Sequence, residues 1–280
     1  ADTHWVRAAE LDQVHCAQPA HRLAVATWLT QIEQGSPPPL RAAWAQRGWQ
    51  QTTAIWIENQ LAQLGYTITG PLQQIKQWFL SCILSVPTDQ GTVYFKATNG
   101  SSLMGNEAQL TQALAHLFPQ VMPTPLAIEP TQDWILLADF GAEIGWDAPV
   151  AVLVQILQAF GRFQIETAAY IEQLLAIGCL DRRLDQLAAQ IDPLLNDAAM
   201  LAYVDPQQQA RLQAAAPTLK ALCMRLADYG VPATLVHGDL HMSNVARHTK
   251  PTGNNDYLFF DWSDACIAHP FLDMISIIHE

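Results

Sequence analysis

The sequence predicts an α+β fold in two lobes: a small antiparallel sheet with one helix, then a mostly helical half. Three observations point there. Between residues 66 and 97, three runs rich in β-branched and aromatic residues are separated by turn signals. A single helical stretch and a short apolar strand follow them. Beyond Gly141, long segments read as helices with only brief strand-like runs between them.

Residues 1–34 carry an amphipathic helical pattern, clearest from His21 to Ile32, where Leu23, Ala26, Trp28, Leu29 and Ile32 fall at helical spacing. Gly35-Ser36-Pro37-Pro38-Pro39 breaks it, so residues 1–45 read as a helical extension and Pro-rich linker. A second helix is expected from Trp49 to Leu64, ending at Gly65. Strands are expected at Tyr66–Thr69, Trp78–Val86 and Thr92–Ala97. Gly70-Pro71 and Pro87-Thr88-Asp89-Gln90-Gly91 are the turns between them. A helix from Asn106 to Leu117 and a buried strand at Ile135–Leu137 complete a β-β-β-α-β lobe over residues 46–140. Gly141–Gly145 reads as a hinge, and Asp147 as the cap of a long helix through Ile177. Helices from about Asp181 to Leu195 and from Pro206 to Tyr229 follow, with short strands at Thr234–Val236 and Tyr257–Phe260. These make a second lobe of residues 141–280, and no internal repeat is present.

Bulk properties narrow the function classes. Half of the residues are hydrophobic and 14% are charged, which fits a globular chain. The net charge of −12 argues against a nucleic-acid surface. Five scattered cysteines, Cys16, Cys82, Cys179, Cys223 and Cys266, include no C-x-x-C pair, which fits a reducing cytoplasm better than a disulfide framework or zinc site. No apolar run approaches the ~20 residues that span a bilayer. Asp2, Arg7, Glu10 and Asp12 interrupt any signal-peptide pattern. The expectation is a cytoplasmic protein without a membrane or nucleic-acid partner, its oligomeric state open.

Two stretches carry the chemistry. His237-Gly238-Asp239-Leu240-His241-Met242-Ser243-Asn244 places an amide five residues past an aspartate. Phe259-Phe260-Asp261-Trp262 places a second aspartate at the end of an apolar strand. An aspartate can orient an acceptor hydroxyl and take its proton. An amide oxygen and a second carboxylate can hold Mg²⁺, which takes oxygen ligands and keeps several waters. The order matches the H-R-D-x-x-x-x-N and D-F-G segments of kinases, with Gly238 in place of the arginine and Asp261-Trp262-Ser263 in place of D-F-G. Asp239 is the candidate base, and Asn244 and Asp261 the candidate metal ligands. An aspartate after glycine is often a turn residue; Asn244 and Asp261 decide otherwise here. His237 reads as a structural histidine near Asp261. His241 is either a contact to the transferring phosphoryl group or a packed side chain. Asp264 is a candidate for facing substrate, Asp273 is expected to brace the loop through backbone hydrogen bonds, and His269 has no assigned role.

The first lobe supplies a counterpart. Lys96 ends the apolar strand Val93-Tyr94-Phe95-Lys96, an ordinary position taken alone. Glu107 follows eleven residues later on the next expected helix, and such a pair can fix a lysine for phosphate binding. Backbone groups around Ala138–Phe140, where the chain crosses between lobes, are candidates to pair with an adenine edge. Neither G-x-G-x-x-G nor a P-loop is present. The turn from Lys76 to Ser81 is therefore left to cover the phosphates, with Ser81 as the candidate contact.

These residues resemble the aminoglycoside phosphotransferase family, which also includes choline, homoserine and fructosamine kinases. The resemblance runs from about Trp49 to the C-terminus. It rests on His237-Gly238-Asp239…Asn244 joined to Asp261-Trp262. Asp181-Arg182-Arg183-Leu184-Asp185 and Asp261-Trp262-Ser263-Asp264-Ala265-Cys266…His269-Pro270-Phe271 are similar to uncharacterised bacterial members. The resemblance implies a bilobal protein-kinase-like fold, ATP with Mg²⁺, and transfer of the γ-phosphoryl group to a small-molecule hydroxyl. It carries the base onto Asp239, the metal ligands onto Asn244 and Asp261, and the phosphate-binding lysine onto Lys96. Family members usually continue with more helices after the Asp273 region, so the second lobe is expected to be short at its C-terminal end.

Two other readings compete. One is a nucleotide-binding regulatory module without turnover, motivated by the non-standard phosphate loop and the short C-terminal end. The other is a protein kinase, against which the lack of an A-P-E motif argues. The acceptor is not legible, because its pocket is built from freely varying side chains.

Overall fold

The computed structural model of the protein describes residues 8–15, 19–34, 42–99, 105–202, 204–249 and 255–274. The chain divides into two units, Ala1–Trp56 and Ile57–Glu280. The first contains helix α1 (Pro19–Glu33) and the start of α2 (Trp49–Gln63). Helix α1 confirms the expected segment, yet Leu23 on it is 71% exposed. Trp44 is buried edge-on against Trp49. Helix α2 gives way at Gly65, where φ is +79° and the neighbouring Tyr66 N–H reaches back to Leu61 O.

The second unit opens with a five-stranded antiparallel sheet. Its strands are β1 (Gln73–Gln77), β2 (Ser81–Thr88), β3 (Gly91–Thr98), β4 (Pro125–Glu129) and β5 (Trp134–Ala138), in the order β1-β2-β3-β5-β4. Side chains alternate between faces with period two. Val93, Phe95 and Ala97 of β3 are buried on one face. Tyr94 and Lys96 turn to the other, where Lys96 pairs in register with Ile83 and Ile135. Helix α3 (Glu107–Leu117) lies between β3 and β4, capped by Asn106, whose side chain accepts from Gln109 N–H at 2.8 Å.

The C-lobe follows as β6 (Ala142–Glu143), α4 (Val150–Thr167), α5 (Ile171–Ala176), β7 (Leu180–Asp181), α6 (Leu184–Leu195), α7 (Ala198–Leu201), α8 (Pro206–Ala227), β8 (Thr234–Val236), β9 (Val245–Thr249), β10 (Asn255–Phe259) and β11 (Cys266–Ala268). Two small sheets, β10-β9-β6 and β7-β11-β8, carry the site segments. Helix α8 starts as its sequence dictates: Asp205 accepts from the N–H groups of Gln207 and Gln208, and Pro206 occupies the first turn. The core joins the apolar face of α3 (Leu110, Leu114) to Ile156, Phe160 and Phe163 of α4 and to Leu235, Phe259 and Trp262. Packed aromatic edges, Phe160 on Phe259 and Phe163 on Trp262, seat the site segments directly on it. No helix among the described residues is long and apolar enough to cross a membrane.

The α+β bilobal architecture is the one expected, and several boundaries differ. Tyr66–Thr69 forms only an isolated bridge, Ile68 to Thr88. The first strand is instead β1, a wholly exposed polar edge (Gln-Gln-Ile-Lys-Gln) with no apolar pattern to betray it. Helix α4 starts at Val150 with Pro149 as its N-cap residue, so Asp147 does not cap it. The helix also stops before Ile177. Thr167 Oγ1 donates to Gln164 O and accepts from Leu235 N–H, and the next turn tightens to a 3-10 helix, Ala168–Tyr170. The helix expected from Asp181 begins at Leu184, because Asp181 belongs to β7 and binds Arg183. The short strands β4, β6, β7, β9 and β11 were not expected.

Candidate active site

The cleft lies between the sheet and the C-lobe. It has a volume of about 300 Å³ and is walled by Ile83, Ile135, Leu137 and Phe140, with Lys96, Glu107 and Asp261 at its polar end. Lys96 Nζ lies 2.8 Å from Glu107 and 2.5 Å from Asp261 Oδ1. Thr98, two residues along the same strand face, donates from Oγ1 to Glu107 Oε2 at 2.7 Å. The side chains of Lys96 and Glu107 are 12% and 5% exposed and shielded from water, whereas that of Asp261 is 34% exposed and faces the cleft. Burial opposes the lysine's charge, but Asp261 and Glu107 outweigh it and hold the ammonium above its ordinary value. Burial pushes Glu107 up, against the pull of Lys96. Burial also works against the charge on Asp261, yet Lys96 draws that carboxyl below the usual range.

The loop with Asp239 follows strand β8. Gly238 has φ +84°, and a Cβ there would sit 2.4 Å from Asp264 O. That explains glycine where kinases carry arginine. Asp273 fixes the loop: it accepts from Gly238 N–H at 2.8 Å, His237 N–H at 3.1 Å and Gln164 Nε2 at 2.9 Å. Burial pushes its carboxyl up to about 6, and those two backbone donors pull it back. His237 is fully buried against Trp262, and its Nε2–H donates to Phe260 O at 2.9 Å. Burial lowers the imidazole to about 4, so the ring is neutral.

Asn244 is the connecting side chain. Its Nδ2 donates to Asp239 O at 2.9 Å, which leaves the amide oxygen for a cation. Its own carbonyl accepts from Phe260 N–H at 3.1 Å, placing it beside Asp261. Asp261 has φ +66°, a left-handed conformation that only a few non-glycine residues adopt. Such strain is concentrated at functional sites. Asp261 and Asn244 present only oxygens, a donor set that fits Mg²⁺ with water completing its shell. No group of three or more His, Cys, Asp or Glu that could by itself hold a metal ion occurs among the described residues.

The other candidates separate. Phe140 lines the cleft and packs on Phe260 at 5.2 Å. Ala138 lines an adjoining hollow with His248 and Leu258. In the crossing segment Asp139 N–H is taken by Thr92 O, and Gly141 N–H by the Asp139 side chain, so neither is free for a base edge. Ser81 is buried, its oxygen accepts from Trp78 Nε1 at 2.7 Å, and it is not among the residues that wall the cleft. The turn itself is Trp78–Leu80, held back by Asn99 bonds to the carbonyls of Phe79 and Leu80. His241 stacks on Trp146 and lies 3.4 Å from Asp239 Oδ2. Asp264 is raised by burial and accepts from Ser263 Oγ. His269 caps the turn Pro270–Asp273 through Phe271 N–H.

Three contributing residues escaped the sequence reading. Thr98 was detectable from its i, i+2 relation to Lys96. Asp133 and Trp146 reach the site from distant loops, and no spacing announces them.

The family model described as "Phosphotransferase enzyme family" (APH) matches residues 88–279, well over half of the chain. The chain belongs to the phosphotransferase enzyme family. Among curated proteins none matches it significantly. Solved structures share the family's fold at low identity. The GDP complex of wild-type aminoglycoside 2'-phosphotransferase-IIIa aligns with a TM-score of 0.57 at 16% identity, covering 84% of this chain and 78% of that one. Choline kinase LicA from Streptococcus pneumoniae gives 0.52 at 13%, covering 81% and 74%. An ethanolamine kinase from Plasmodium vivax gives 0.51 at 11%, covering 93% and 72%. In this phosphotransferase the Lys96 triad lines the cleft, and the Asp239 loop adjoins its Asp261 end through the bond from Phe260 N–H to Asn244 O.

Proposed function

We propose that this phosphotransferase moves the γ-phosphoryl group of ATP, with Mg²⁺, to a hydroxyl of a small molecule. The observation that carries the reading is the ion-paired triad of Lys96, Glu107 and Asp261 next to the Asp239–Asn244 loop. A lysine so tied keeps its charge and its aim, both needed to bind phosphate oxygens. The apolar walls of Ile83, Ile135 and Leu137 suit a flat nucleobase. Mg²⁺, when bound through Asn244 and Asp261, neutralises charge on the phosphates. Asp239 is 51% exposed and open to a hydroxyl arriving from solvent. It orients that hydroxyl in line with the γ-phosphorus and accepts its proton as the new oxygen–phosphorus bond forms and the bond to the β,γ-bridging oxygen breaks, releasing ADP. Catalysis of this kind is chiefly positioning and charge neutralisation. That relatives of this fold include complexes with GDP, or with ADP and hygromycin B, supports a nucleotide donor and a small-molecule acceptor.

The test joins binding to turnover. Mg·ATP is expected to raise the melting temperature, and ADP release is expected to rise above background with at least one hydroxyl compound in a panel of aminoglycosides, amino alcohols and sugars. A thermal shift with no turnover on any acceptor would favour a regulatory module. No thermal shift at all would remove the nucleotide reading.

A further inference from the structure

We infer that Trp146 and His241 form a positioning pair for the Asp239 carboxylate, an inference that rests on the reading of Asp239 as the base. The His241 ring is constrained from three sides. Its Nδ1 accepts from Ser243 N–H at 3.2 Å, so the proton of the neutral ring resides on Nε2. That Nε2–H edge lies 3.4 Å from Asp239 Oδ2. The ring face stacks on the Trp146 indole, 4.9 Å between centroids and 24° between planes.

A histidine χ2 torsion is soft and roughly two-fold, so an unsupported ring could present carbon or nitrogen to the carboxylate. The Trp146 face and the Ser243 bond together select one orientation. The loop that carries Trp146 is itself tied to the same turn, since Gly145 N–H donates to Met242 O at 3.3 Å. Asn244 Nδ2 also approaches Asp239 Oδ2, at 3.4 Å. The Asn244 amide donates to Oδ2 and the His241 Nε2 edge faces it, while Oδ1 accepts no bond from a described residue. The pair thus turns Oδ1 toward the acceptor. Both contacts are longer than full hydrogen bonds, as catalytic contacts commonly are before substrate binds. His241 and Trp146 are positioning residues here: they act through Asp239.

The test uses the full chain, with Mg·ATP hydrolysis as the probe because water can serve as acceptor. Trp146→Ala and His241→Leu are expected to lower kcat by about 10- to 100-fold with KM for ATP within about two-fold. Trp146→Phe and His241→Gln, which restore an aromatic face and a donor near the Nε2 position, are expected to recover most of the loss. Histidine-labelled NMR gives a readout independent of turnover. The His241 Cε1–H resonance should move in both Trp146→Ala and Asp239→Asn, while that of His116 stays. Parent-like kcat in Trp146→Ala, a His241→Gln as damaged as His241→Leu, or an unmoved His241 resonance would overturn the pair. Parent-like turnover in Asp239→Ala would instead overturn the base assignment itself. If the parent shows no hydrolysis, the resonance alone decides.

Discussion

Gly238 and Asp261 both sit at positive φ, and each explains its own identity. A side chain at Gly238 would collide with the Asp264 carbonyl, 2.4 Å from the built Cβ. Gly238→Ala is expected to cost at least about 2 kcal/mol through left-handed strain and the displaced Asp264 backbone. Urea unfolding measures it, and a change under 0.5 kcal/mol would contradict the account. At Asp261 the backbone adopts a left-handed conformation while its carboxylate meets Lys96. At this scale much was legible. The spacing from Asp239 to Asn244 is local, and a strand-end lysine followed by a helix glutamate is a short-range pattern. What the residues do not announce is who approaches a polar atom: Ser81 is buried, and its oxygen accepts from the Trp78 indole.

Helix α3 delivers Glu107, and its seat is built by the turn before β5. Asn106 Nδ2 donates to Pro130 O at 2.6 Å, and Asp133 Oδ1 accepts from Ala108 N–H at 2.8 Å. Asp133 adopts φ +52°, which asparagine tolerates far better than alanine. Asp133→Ala is therefore expected to destabilise by about 1–2 kcal/mol, through a lost cap and a disfavoured backbone. Asp133→Asn keeps an acceptor and the backbone preference, and should destabilise less. Denaturant midpoints of the two variants provide the check, and an asparagine variant as damaged as the alanine one would refute it. Elements with strong local signals, α2, α3, β3 and α8, were readable. Strands β1 and β6 were not: both are short and exposed and exist through their partners, with no apolar alternation of their own.

Across the whole molecule, the core binds α3, α4 and the site segments into one body, so site residues are also stability residues. His237 makes this measurable. The folded ring resists protonation until about pH 4, whereas the unfolded chain takes up its proton near 6.5. Between those values the unfolded state binds more protons, so stability falls as pH drops from 6.5 to 4, by on the order of 3 kcal/mol. Asp273, raised to about 6, acts with the opposite sign in that window and is common to parent and variant. In metal-free buffer, His237→Phe should show a shallower fall than the parent over pH 6.5 to 4, and equal slopes would contradict the burial argument. The two-lobed order was legible because each lobe keeps its own periodicity, and Asp273 was legible as the brace of the Asp239 loop; the stacking of Trp146 on His241 was not, since it spans a long sequence separation. The central claim is that Asp239 does chemistry while the Lys96 triad and Asn244 hold Mg·ATP. Single-turnover transfer from γ-labelled Mg·ATP, with nucleotide binding followed on the same samples, tests it most directly. Asp239→Ala should bind Mg·ATP like the parent and transfer the label about 10²- to 10⁴-fold more slowly. Parent-like transfer by Asp239→Ala would contradict the claim.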